Sequence, residues 1–282
     1  MVANMDCFPY GISTARQIIY ICLFEFFYIN RMKLLLLFLC SVQGIAYKNK
    51  NPPEHFLFLG NSFTFVNDLP KTFQGLAKAG GYNIEAYFCG IGAASFQSLS
   101  QDLRVPLYIN MFKWKSIIIQ EQSMFLSQSQ STYMKTSIPY AVKLYNMFKN
   151  HTATVLLYET WGYQNGNPSF VTGLDDNYYK MQTRLWSGYN YTLETLKNIQ
   201  WSPIHISPVG QAWAVAQAQP RFKNKMWQQD GMHPKPCGTY LAAAVFYTKI
   251  FNKSPVGIKF LIKGVTAADA KILQLIAEKI VL

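Results

Sequence analysis

Five short apolar runs, each followed by a polar break and most by a longer amphipathic stretch, constrain this chain more than any other feature. The runs are His55–Leu59 (HFLFL), Ile84–Phe88 (IEAYF), Ser116–Gln120 (SIIIQ), Thr154–Tyr158 (TVLLY) and His205–Ser207. A strand covered on both faces reads as a nearly continuous apolar run, which is the habit of parallel sheets. The helical candidates are Pro70–Ala79, Tyr133–Lys149, about Asp176–Lys197, Gly238–Phe251 and Ala267–Val281. Asp68, just before Leu69-Pro70, has the side chain of a helix N-cap, with proline following in the first turn. Alternation of this kind predicts a three-layer α/β/α sandwich around a parallel five-stranded sheet, with right-handed crossovers. No linker rich in Pro, Gly or Ser divides residues 50–282, so a single domain is expected over residues 47–282.

Half the residues are apolar and only 14% are charged, which excludes a disordered chain. Part of the apolar content belongs to the N-terminus. Ile18–Ile29 is apolar but short and interrupted by Glu25, whereas Arg31-Met32-Lys33 followed by Leu34–Cys40 and SVQGIA has the layout of a secretory signal peptide. Residues 1–46 are therefore expected to be a leader, with the signal peptide at about 32–46 and cleavage after Gly44 or Ala46. Residues 1–31 would be an upstream extension. The other reading is one membrane anchor from Ile18 to Leu39, which places Arg31 and Lys33 inside the span at a high cost. The expected location is outside the cell or in the secretory lumen, with no stable membrane span once the leader is removed.

A net charge of +12 favours acidic partners, but the surplus is lysine, only five arginines occur, and no nucleic-acid recognition motif is present. Nucleic acid is not an expected partner. Cys7, Cys22 and Cys40 fall in the leader; Cys89 and Cys237 remain, with pairing left open, and no cysteine spacing resembles a metal site. Asn150, Asn190 and Asn252 each begin a glycosylation sequon.

In parallel sheets chemistry gathers beyond the carboxyl ends of the strands. There the chain has Gly60-Asn61-Ser62-Phe63-Thr64, Cys89-Gly90-Ile91-Gly92, Glu121-Gln122-Ser123, Glu159-Thr160-Trp161 and Pro208-Val209-Gly210. A serine needs an imidazole base, itself oriented by a carboxylate. Of His55, His151, His205 and His233, only His233 has an aspartate three residues earlier and prolines at 234 and 236 to stiffen its loop. Ser62 at a strand end is the matching nucleophile. The GxSxG elbow of α/β-hydrolases is absent.

Taken together in this order, FLFLGNSFT, CGIGAAS and DGMHP resemble the blocks of the SGNH (GDSL-type) hydrolase superfamily. The likeness covers about residues 55–280 and is nearest to an uncharacterised secreted subfamily with GNSFT, QEQS and DGxH blocks. NDLP at Asn67–Pro70, Trp161, and Pro208–Trp213 also match that subfamily. The resemblance implies a flavodoxin-like sheet and a Ser62, Asp230, His233 triad, with Gly92 supplying a backbone amide to an oxyanion hole. One block departs from the family. Where a side-chain Asn is usual, this chain has Gln120-Glu121-Gln122-Ser123, so Gln122 is the expected oxyanion donor, with Gln120 as the alternative. Asn61 stands where the family carries Asp and is expected to shape the turn.

The activity implied is ester hydrolysis through an acyl-enzyme, without metal or cofactor. Trp161, Tyr163, Trp213 and Trp227 fall on presumptive loops near the site, and Trp161 and Trp213 are expected to bind substrate by stacking on sugar rings. A small-molecule or carbohydrate ester is the expected partner, O-acetyl groups being one case. The contrasting reading is a catalytically weak glycan-binding protein on the same scaffold.

Overall fold

All five apolar runs become strands: β1 Glu54–Gly60, β2 Ile84–Gly90, β3 Trp114–Ile119, β4 Thr154–Tyr158 and β5 Ile204–Ser207. The structure, a computed structural model, describes residues 52–170 and 176–282. The leader and signal peptide expected over residues 1–46 lie outside these residues. The strands pair in parallel throughout, in the order β2-β1-β3-β4-β5. Phe56, Leu57, Phe58 and Leu59 of β1 are all buried, although successive side chains point to opposite faces. That sheet is therefore covered on both sides, as a three-layer α/β/α sandwich requires.

The helices, in chain order, are α1 Ser62–Phe65, α2 Leu69–Ala79, α3 Phe96–Gln101, α4 Arg104–Ile109 and α5 Gln130–Thr136. They continue with α6 Ile138–Asn146, α7 Tyr178–Lys197, α8 Val209–Gln217, α9 Pro236–Phe251 and α10 Ala267–Val281. α9 packs against both α2 and α10, and α6 packs against α3, α5 and α7 as a second group. α9 is buried at every position from Cys237 to Thr248. Its Phe246 meets Phe58 at 5.4 Å and Tyr158 at 5.0 Å, edge to face. Truncating such a ring typically costs about 3–5 kcal/mol.

Two expectations about helices needed correction. Tyr133–Lys149 is not one helix: α5 ends at Thr136 and α6 begins at Ile138, with Pro139 in its first turn. Proline lacks the N–H of a helix interior and its ring opposes the preceding turn, so the chain restarts there. Pro208–Trp213 is not a loop either, because α8 begins immediately after Pro208 and carries Trp213 inward. Asp68 does cap α2, accepting from the Lys71 amide at 3.2 Å. Cys89 and Cys237 are buried and unpaired, and burial pushes each thiol up to about 11.

The strand order reverses at β1: the chain moves outward to β2, then returns to the other side of β1 to form β3. At such a switch point the loops leaving the two central strands diverge and open a crevice at their carboxyl ends. The loops after β1 and β3 flank it.

Candidate active site

At the end of β1, Asn61 leaves the strand in an extended conformation and caps α1, its Oδ1 accepting from the Phe63 amide at 3.0 Å. Ser62 follows, half-buried at the mouth of the crevice. Its Oγ lies 2.8 Å from His233 Nε2, although 171 residues separate the two in the chain. His233 Nδ1 lies 2.6 Å from Asp230 Oδ2. An ionised carboxylate only accepts, so Nδ1 carries the proton and Nε2 is left to accept from the serine hydroxyl. The other Asp230 oxygen accepts from the amides of Met232, at 2.9 Å, and His233, at 3.0 Å. Partial burial pulls the Asp230 carboxyl up, but the bonds from His233 and the two amides outweigh it and hold the group below the usual range. Gly231 makes the tight loop possible with φ +68°, a conformation that side chains disfavour.

Ser62, Phe63, Ala93, Gln122, Tyr163 and His233 are among the residues lining a cleft of about 320 Å³. Larger hollows of about 770 and 460 Å³ lie elsewhere and contain neither Ser62 nor His233. Of the expected oxyanion donors, Gln122 faces this cleft. Its Oε1 accepts from the Met124 amide at 2.7 Å, which fixes the carboxamide and leaves Nε2 donating to no described residue. Gly92 sits on the exposed turn after β2, where its amide also has no described partner, and the neighbouring Ala93, at φ +57°, forms the cleft wall.

Gln120 as the alternative donor is overturned. It is fully buried, and both of its N–H groups are used, toward Asn61 Oδ1 at 2.9 Å and the Glu121 carbonyl at 2.7 Å. Its Oε1 accepts from the Asn61 amide at 3.1 Å and from Thr64 Oγ1 at 2.8 Å. Asn61 in turn donates to the Ala94 carbonyl at 2.9 Å, so it does more than shape a turn: it joins the loops after β1, β2 and β3.

Trp161 and Trp213 as sugar-stacking residues are also overturned. Neither has any exposed surface. Trp161 stacks between Phe63, at 4.5 Å, and Trp213, at 3.9 Å, and so belongs to the floor beneath the site. Trp227 is buried with them, whereas Tyr163 reaches the cleft wall, its hydroxyl bonded to Ser123 Oγ.

Sequence reasoning assigned no role to two buried acids behind the strand ends. Glu121 Oε1 accepts from the amides of Phe96, at 2.8 Å, and Gln122, at 2.7 Å. Glu159 Oε1 accepts from Gln182 at 2.8 Å and Gln211 at 3.2 Å. Burial pushes Glu121 up to about 7 and Glu159 up to about 8, against the pull of those bonds. The one available signal was their position immediately after buried strands, where a charged side chain has to be paired or neutral.

Solved structures resemble this arrangement across most of the chain. A DUF4886 family protein from Bacteroides uniformis aligns with a TM-score of 0.68 at 19% identity, covering 80% of this chain and 94% of that one. An SGNH hydrolase candidate from Slackia heliotrinireducens aligns at 0.55 and 20% identity, covering 69% and 97%. This chain has the SGNH hydrolase fold. The psychrotrophic esterase EstA from Pseudoalteromonas sp., solved in an inhibited form with monoethylphosphonate, aligns at 0.50 and 13% identity over 71% and 97%. No protein-family model and no curated protein sequence matches the chain. At these identities the likeness establishes the SGNH architecture; the chemistry has to be argued from the residues.

Proposed function

We propose that the protein is a serine esterase that hydrolyses carboxylic esters through an acyl-enzyme. The observation that carries this reading is the Ser62–His233–Asp230 relay, at 2.8 and 2.6 Å, opening onto the cleft at the strand ends. Ser62 Oγ attacks the ester carbonyl while His233 Nε2 takes its proton, and Asp230 stabilises the resulting imidazolium. The Gln122 carboxamide and the amides of Ser62 and Gly92 receive the negative charge that develops on the carbonyl oxygen. The alcohol leaves with the proton from His233. Water, deprotonated by the same imidazole, then releases the acid and restores Ser62.

A cleft of about 320 Å³ is at the small end for ligand sites and favours a short acyl group such as acetyl. With Trp161 and Trp213 buried, an acetylated sugar is supported as substrate, its hydroxyl being the leaving alcohol, by the size of the acyl site alone. The intact relay is what an inactivated binding scaffold would have lost. The Lys33 and Leu34–Cys40 pattern supports export as the setting for this activity. A fluorophosphonate probe tests the assignment: it should label the wild type and leave Ser62→Ala unlabelled. Equal labelling of both moves the nucleophile to another serine, Ser95 and Ser123 first. A panel of nitrophenyl esters should show acetate and propionate cleaved faster than octanoate.

A further inference from the structure

The buried indole of Trp161 is left without a role by the esterase reading, yet it touches the neighbours of both reacting residues. One face of its ring lies 4.5 Å from Phe63, at an interplanar angle of 4°, and Phe63 directly follows Ser62. The other face lies 3.9 Å from Trp213 at 10°. Its Nε1 donates to the Met232 carbonyl at 2.9 Å, and Met232 directly precedes His233. That carbonyl belongs to the peptide unit whose N–H, on His233, donates to Asp230 Oδ1 at 3.0 Å. The plane between residues 232 and 233 is thus held at both ends, by Trp161 on one side and by Asp230 on the other. A peptide plane fixed this way sets the direction in which the His233 side chain leaves the backbone.

We infer that Trp161 is a positioning residue that sets the distance between Ser62 and His233, gripping the nucleophile's neighbour by stacking and the base's neighbour by its indole hydrogen bond. The inference rests on the esterase reading for its kinetic consequence, though not for its geometry. Other bonds locate the loop coarsely: Gln164 N donates to the Gly231 carbonyl at 2.8 Å, and Trp227 Nε1 to the Gly162 carbonyl at 3.2 Å. Among the described residues of the post-β4 loop, only Trp161 reaches the Met232–His233 peptide.

The stack supplies its own control. Trp213 is equally buried and stacks on the same ring, but its Nε1 has no hydrogen-bond partner among the described residues. Trp161→Phe and Trp213→Phe therefore remove similar ring volume from one column, while only the first removes a bond to the base loop. In the full chain, W161F should slow fluorophosphonate labelling and lower kcat by about 10–100-fold with KM little changed, since misplacements on the order of 1 Å cost up to about 10²-fold. W213F should lose no more than about threefold, even where the two variants have similar urea midpoints. Independently of activity, the His233 ring resonances in NMR spectra should shift in W161F and stay in place in W213F. Equal losses in the two variants, or unshifted His233 resonances in a folded W161F, overturn the inference. A wild type that the probe fails to label would remove the esterase reading instead, while the NMR comparison still decides the role of Trp161.

Discussion

The two halves of the Ser62–His233 pair are held by different physics. On the Ser62 side, Asn61, Gln120 and Glu121 form a buried clasp of directional hydrogen bonds linking the loops after β1, β2 and β3. On the His233 side, Asp230 and His233 ride an exposed loop that is pinned by a backbone bridge between Trp227 and Pro234 and by the aromatic column beneath it. A buried polar clasp tolerates little, because removing one member leaves its partners unpaired in a dry interior. An aromatic column gives way more gradually, since stacking is spread over many weak contacts. Ser62 is fixed, and His233 is supported.

The sharpest break between the halves is kinetic. His233→Ala should lower kcat by roughly 10⁴–10⁶ in a protein that still folds, because the base is lost but no buried partner is stranded. Asp230→Asn should cost less, about 10²–10⁴, because its carboxylate is partly exposed and water compensates in part. Steady-state kinetics beside circular dichroism distinguishes this from misfolding; a large fall in stability for H233A would contradict the supported-loop picture.

Gln122 lies on the cleft face of the clasp and tests where its structural role ends. Gln122→Ala should lower kcat by about 10²–10³, or 2.7–4 kcal/mol, with KM nearly constant, because the bond strengthens only as charge develops. Gln122→Asn should recover part of this. An unchanged kcat would remove Gln122 from the oxyanion hole.

Gln120→Ala should behave in the opposite way, as a folding mutation. It strands the Asn61 amide and the Thr64 hydroxyl and takes one of two donors from the Asn61 side-chain oxygen, so urea denaturation should show a loss of about 2–3 kcal/mol. Stability within a few tenths of wild type, about 0.3 kcal/mol, would sink the clasp.

The smallest effect is one of pH. Burial lifts Glu121 to about 7 and Glu159 to about 8 in the folded protein, while both ionise near the ordinary value of 4.5 when unfolded. Between those values the unfolded chain binds fewer protons than the native one, so stability falls as pH rises through the window and levels off above it. Glu121→Gln removes one share of that slope. Its urea midpoint relative to wild type should therefore be more favourable at pH 8 than at pH 5, and parallel profiles would show that Glu121 is ionised throughout.

Much of this was legible in the chain. The apolar runs located all five strands, because burial on both faces leaves no room for alternation. Asp230 and His233 were legible as a pair, since three residues of one loop suffice to bring a carboxylate to an imidazole. The breaks were harder to read: Pro139 splits a continuous amphipathic pattern, and α8 carries too little periodicity to announce itself after Pro208. The orientations of the glutamines and tryptophans were the least legible, because residue type alone does not say which way a side chain faces at the end of a strand.

By itself, then, the sequence determined the alternation of strands and helices, the proposed nucleophile Ser62 at the end of the first strand, and the Asp230–His233 pair on the loop before α9. These are local properties, set by hydrophobic pattern and by neighbours a few residues apart. Only the tertiary structure decided that Gln122 faces the cleft while Gln120 turns inward, and that Trp161 and Trp213 form a floor instead of a sugar platform. Such choices depend on what packs over a loop from distant parts of the chain. Here that is the Asn61 turn above Gln120 and the Met232 loop above Trp161.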